Sequence, residues 1–289
     1  MTALSAIYSL IYQFGDSFAY LVLSALGLAV IFGMMGVINL AHGEFIMCGA
    51  YVTIISAKRG VPLPIAMLMG AFAAAIAGII IERLVIRHLY NRLFDSVVAT
   101  WAISLIVQQS MLVISGPSIE GIGTPFGSFH VGEYSFSVYR ALLPAIAIGV
   151  LAGLYAIFFK TNYGVCARAT MQNAKMAQSL GLKTDRLYAL TFGLGAGLAG
   201  LAGALYAPTM TAVPTMGTGF IVQAFVTVVV GGANVLVGTT PAAAILAAIQ
   251  ASLTASYGQL FGQIGLLLTV IVVIRLMPQG LGNFFNRAR

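Results

Sequence analysis

The sequence predicts an all-α, polytopic membrane protein: one transmembrane helical bundle of about eight to nine segments, with a discontinuous helix near residues 39–45. Three observations carry this. Of 289 residues, 60% are hydrophobic and 7% charged, where soluble domains carry about 25% charged residues. The mean hydropathy is +0.99. The apolar residues fall in runs close to the ~20 residues that cross a hydrocarbon core, parted by short polar stretches that hold most of the Lys and Arg. The net charge of +7 follows from those basic connectors, the bias that keeps short loops in the cytoplasm, so no nucleic-acid partner is implied and membrane lipid is.

Residues 1–15 read as a mildly apolar interfacial lead, with no basic n-region of a signal peptide before Lys58, so this segment is expected to remain in the mature chain. Asp16 and Ser17 offer caps for an apolar helix from Phe18 to Asn39, in which Ala25, Ala29, Gly33 and Gly36 share one face. Asn39, His42 and Glu44 then fall within six positions, ahead of an apolar piece from Phe45 to Ala57 of only 13 residues. A break at membrane depth accounts for both features, since irregular backbone is tolerated there when it is buried in protein or lines a cavity. The three polar groups either cap the half-helices or line a functional pathway through the bundle, the default reading of polar groups at membrane depth.

Further spans are read at Val61–Ile81, Ser96–Ser115 with the polar pair Gln108 and Gln109, and Ala141–Phe159, with an external loop from Gly116 to Arg140. The two glutamines serve as interhelical partners or as pathway residues. Lys160 to Leu187 is a basic loop, Lys160, Arg168, Lys175, Lys183 and Arg186 against Asp185, whose middle, Ala167 to Leu180, reads as a helix stopped by Gly181 and Leu182. Thr184 is the expected N-cap of the next span, Tyr188–Tyr206, where Gly193, Gly197, Gly200 and Ala204 form a small-residue stripe for close packing.

Phe220–Gly238, Pro241–Tyr257 and Ile264–Met277 complete the set, ending in a cytoplasmic tail. Eleven of the fourteen Lys and Arg then lie inside; Lys58, Arg59 and Arg140 lie outside. If Phe45–Ala57 crosses, there are nine spans and the N-terminus is external; if it is re-entrant, the N-terminus is internal. The pattern G-x-x-N-x-x-x-G occurs at Gly36, Asn39 and Gly43 and again at Gly231, Asn234 and Gly238, which makes Asn234 a sixth pathway candidate and suggests two related halves.

No phosphate-binding loop, Ser-His-Asp set, paired intramembrane acids or Cys/His metal spacing is present, and Cys48 and Cys166 are unlikely partners. Catalysis and metal binding are therefore not expected. A neutral bundle suited to a small polar solute needs its power from another chain; a passive channel would need none.

GLAVIFGMMGVINLAHGEFIMCGAY at 27–51, ERLVIRHLYNR at 82–92, RATMQNAKMAQSLGLKTDRLYALTFGLGAGLAGLAGAL at 168–205 and RLMPQGL at 275–281 resemble the permease subunits of bacterial ABC importers for branched-chain amino acids, over nearly the whole chain. The resemblance implies a single permease domain, 1–289, in the bacterial inner membrane. It also implies two ATPase subunits that bind the ATP, so that this chain holds no cofactor, a second homologous permease and a periplasmic solute-binding protein. It makes the segment from Arg168 to Lys183 the coupling element, with Arg168, Gln172, Asn173, Lys175, Met176 and Gly181 in contact with the ATPase. The family also includes importers of urea and short-chain amides, and the run Ala169–Asn173 resembles that branch. Three positions depart from the branched-chain pattern: Ala233-Asn234, where Gly-Ser is common, and His88, where proline is.

Overall fold

The computed structural model describes residues 3–282 apart from 91, 133, 233–234 and 278–279. Eleven helices are described: α1 Ala3–Met35, α2 His42–Lys58, α3 Leu63–Leu84, α4 Leu93–Ser115, α5 Val138–Lys160, α6 Asn162–Gln172, α7 Ala174–Ser179, α8 Thr184–Tyr206, α9 Met216–Gly231, α10 Val235–Tyr257 and α11 Gln259–Leu276. Six of them are long and apolar enough to cross a membrane.

α8 is the axis of the bundle because its small residues remove the side chains that would hold neighbours away. A Cβ at Gly193 or Gly200 would strike Ile79 or Ala74 of α3, one at Gly195 would reach Ile31 of α1, and one at Gly203 would strike Ile46 of α2. Backbones so close gain dispersion contact and exclude lipid, as the sequence pattern anticipates. α3, α4, α5 and α11 instead present Phe72, Trp101, Ile148 and Ile271 outward.

The contacts also fix direction. Tyr20 of α1 stacks on Phe220 of α9 at 4.7 Å between centroids, and Ala25, Leu28 and Ala29 cluster with Ala224 and Val228 further along, so α1 and α9 run side by side in the same sense. Tyr139 at the start of α5 donates to the Leu205 carbonyl at the end of α8, at 2.6 Å. α5 and α8 are therefore antiparallel, and α6 and α7, which join them, lie at the opposite end of the bundle from Asp16, Arg140 and Tyr206.

Several boundaries differ from those read in the sequence. Residues from Ala3 onward are not a separate lead but the first turns of α1, a single helix of 33 residues. Asp16 does not cap it; one carboxyl oxygen takes a hydrogen bond from Arg140 Nη1 at 3.2 Å. α1 ends at Met35, four residues early, and α9 ends at Gly231, seven early. α10 begins before Pro241 and carries it internally. The expectation of an all-α chain also missed a hairpin, β1 Ser128–Val131 paired antiparallel with β2 Tyr134–Ser137. It forms because Phe129 and Phe136 pack on Tyr8, and Tyr12 donates to the Ser137 carbonyl at 3.2 Å, contacts across more than a hundred residues.

Candidate functional site

The break between α1 and α2 spans residues 36–41, slightly earlier than the sequence suggests, and Gly36 turns it with φ +63°, a conformation that favours glycine. It lies inside the bundle. Met34 packs on Thr191, and the Leu40 amide donates to Thr100 at 3.1 Å. Thr191 and Thr100 each stand seven residues in from the start of their helices, about 10 Å at ~1.5 Å per residue.

Each polar residue of the break and of the first turn of α2 has a partner that local geometry explains. Asn39 Oδ1 accepts from the Ala41 amide at 3.0 Å, and His42 Nε2 lies 2.9 Å from the Ser24 carbonyl of α1. A carbonyl only accepts, so Nε2 carries the proton. Glu44 Oε1 accepts from Ser104 Oγ and Gln108 Nε2 of α4, both at 2.8 Å. Asn39 and His42 are wholly buried and Glu44 nearly so, yet Asn39 Nδ2, His42 Nδ1 and Glu44 Oε2 have no partner among the described residues. The arrangement joins two half-helices to α4 while keeping three polar atoms in reserve.

Of the pathway candidates, Asn39, His42, Glu44 and Gln108 come together. Gln109 does not: it lies one residue round α4 and is exposed. Asn234 lies outside the described residues. Sequence reasoning missed Ser104 and Thr100. The signal was present as Ser96, Thr100, Ser104 and Gln108, a stripe at intervals of four that lays one polar edge of α4 against the break.

At the other candidate site, the expected helix Ala167–Leu180 is divided. α6 stops at Gln172, and Asn173 turns outward from the helical path to cap α7, its Oδ1 accepting from the Met176 amide at 3.0 Å. α7 closes on Gly181 at φ +85°, with the Leu182 amide reaching Ala177 O at 3.1 Å and the Gly181 amide reaching Gln178 O at 2.9 Å, the double bond of a glycine-stopped helix. Thr184 does not cap α8; its hydroxyl pairs with Gln178 Nε2 at 2.6 Å and ties α7 to the bundle.

Gln172, Asn173, Lys175, Met176 and Gly181 are exposed on this helical pair, and Leu180 is 77% exposed. Arg168 differs. It donates to the Phe158 carbonyl and lies over the Phe159 ring, 4.9 Å from its centroid, so it clamps α6 to the end of α5.

Fold and site together define a multi-pass helical membrane protein with a polar break in its interior and a helical loop at one end. The chain belongs to the family of branched-chain amino acid transport system permease components, whose model matches residues 11–277. It is 29% identical over 278 residues to the high-affinity branched-chain amino acid transport system permease protein BraD of Pseudomonas aeruginosa, with 90% of each chain covered. It is 27% identical over 278 residues to the probable branched-chain amino acid transport permease protein LivH of Methanocaldococcus jannaschii, covering 90% of this chain and 88% of that one. Identity to the high-affinity permease protein LivH of Escherichia coli K12 is 29% over 276 residues, with 90% of each covered. No solved structure matches.

Proposed function

We propose that this chain is the membrane-spanning permease subunit of an ABC importer in the bacterial inner membrane, passing a small amino acid of the branched-chain type inward. The observation that carries the reading is family membership across residues 11–277, supported by relatives named for that solute over nine-tenths of their length. The whole chain acts as one permease domain. Nine helices, α1–α5 and α8–α11, make the passes, with the N-terminus outside and α6–α7 inside, in accord with the basic bias of that loop.

The chain binds no ATP and performs no bond chemistry. Separate ATPase subunits grip the exposed face of α6 and α7, a second homologous permease stands beside this one, and a periplasmic binding protein delivers the solute. Closure of the ATPases moves the loop, Arg168 passes the motion to α5, and the bundle changes the side to which it opens. Asn39 and His42 hold the broken helix together, while Glu44, Ser104 and Gln108 form the seam along which α4 shifts. A urea or short-chain amide solute is the second reading, favoured by the run Ala169–Asn173.

Copurification with the ATPases tests the assembly, followed by ATP hydrolysis in liposomes with binding proteins loaded with leucine or urea. Stimulation by the leucine-loaded protein is the expected result. Solute flux through the purified chain alone, with no associated ATPase, would make it a channel.

A further inference from the structure

The end of the bundle opposite α6 and α7 contains an open cavity of about 390 Å³ lined by α1, α5 and α8–α11. That is within the roughly 300–1,000 Å³ of small-molecule sites. It shares no residue with the polar break. Met210 is the one described residue of its wall without a hydroxyl, amide or charged group.

Part of the acceptor capacity of these residues is unmet. Nine buried side-chain polar atoms lack a partner among the described residues, and four of them belong to residues that line this cavity: Gln13 Oε1, Asp16 Oδ1, Gln223 Oε1 and Gln250 Oε1. All four are acceptors. Gln13 is held the right way round because its Nε2 donates to Ser9 Oγ at 3.1 Å, and a carboxylate accepts at both oxygens. Buried acceptors left without donors are costly, so their gathering on residues round one cavity favours a donor from outside the chain toward which these side chains turn.

Arg140 supplies the opposite chemistry. It spends one N–H on Asp16 Oδ2 at 3.2 Å, and its side chain is 40% exposed, leaving further N–H groups for an incoming oxygen. Exposed Gln259 and Gln263 of α11 form the mouth.

We propose that this cavity is an outward docking site for a small solute with two or more N–H donors and one oxygen acceptor. The N–H groups go to Asp16 and the three glutamine oxygens, and the oxygen goes to Arg140. An α-amino acid offers this pattern through its ammonium and carboxylate, and urea or a simple amide through its NH2 groups and carbonyl. The wall's side chains are mostly polar, with Tyr20, Tyr206 and Met210 supplying apolar contact, so it reads the polar head first, and selection among branched side chains falls to another component. The orientation rests on the transport reading above; the binding chemistry rests on the cavity itself.

The test is protection of a cysteine in the assembled complex, in right-side-out vesicles, with Cys48→Ser and Cys166→Ser as background. Thr254→Cys on the cavity wall is treated with a membrane-impermeant thiol reagent, and Gln263→Cys at the mouth gives the same readout if the first fails to assemble. Millimolar leucine or urea should slow labelling at least threefold, and whichever protects identifies the source of the N–H groups. Isovalerate, which has leucine's carboxylate and side chain but no nitrogen, should not protect. Adding Gln250→Met should raise the half-protecting concentration about tenfold.

No protection by either solute, or equal protection by isovalerate, overturns the proposal. Protection without ATP hydrolysis stimulated by any loaded binding protein would leave the cavity standing and remove the importer reading.

Discussion

Gly43 and Gly217 meet backbone to backbone, so that a Cβ built on either would run into the peptide of the other. The contact joins the first turn of α2, immediately after the polar break, to the first turn of α9. Gly43→Ala is therefore expected to destabilise the protein by about 1–3 kcal/mol, the usual cost of overpacking, read as a lower unfolding midpoint in detergent. Gly149→Ala on α5, where nothing lies within 4 Å of the new carbon, should cost nothing.

The seam between α2 and α4 rests on few bonds, because most of α4 faces away from the bundle. Ser104→Ala removes one of the two donors to Glu44. Interhelical hydrogen bonds in membranes average about 0.6 kcal/mol and reach about 1.7, so the change should speed hydrogen exchange in α4 and slow uptake, with the fold retained. Gln109→Ala, on the exposed face, is expected to behave as wild type; an equal effect of both would show that the stripe is not the seam.

Asn173 is the hinge between α6 and α7. Replacing it by Ala forfeits a side-chain cap, about 1 kcal/mol, and should weaken coupling of ATP hydrolysis to uptake while expression holds. Asn173→Ser keeps a capping oxygen and should restore most of the coupling. A loss of function shared equally by both variants would place the role of Asn173 in direct contact rather than in capping.

Met176 and Arg168 sit on the same loop but should fail differently. Met176 is 59% exposed, so Met176→Glu should lower copurification of the ATPase without changing thermal stability. Arg168→Glu removes the clamp on Phe158 and Phe159 and should lower both. The unfolding midpoint of each variant separates the two effects.

The bundle was legible in the sequence, because apolar length is set by composition within each segment. The α8 packing stripe and the Gly181 stop were legible for a related reason: glycine's lack of a side chain acts locally. The split at Asn173 was not, because an Asn inside a run of helix formers reads as tolerated until its side chain is seen to bond forward to Met176. The hairpin escaped because its stability lies in Tyr8 and Tyr12, far away in the chain.

The sequence by itself determined that this is a multi-pass permease-family chain, that a break follows α1, and that the polar residues in and just after it are Asn39, His42 and Glu44. Only the tertiary structure decided that Glu44 bonds to Ser104 and Gln108 while Gln109 does not, and that Arg168 clamps α5. It alone gathered Gln13, Asp16, Arg140, Gln223 and Gln250 around one cavity. Hydropathy and glycine spacing act along a few turns of one helix, whereas these groupings depend on the rotation and depth at which separate helices pack, which no single segment encodes.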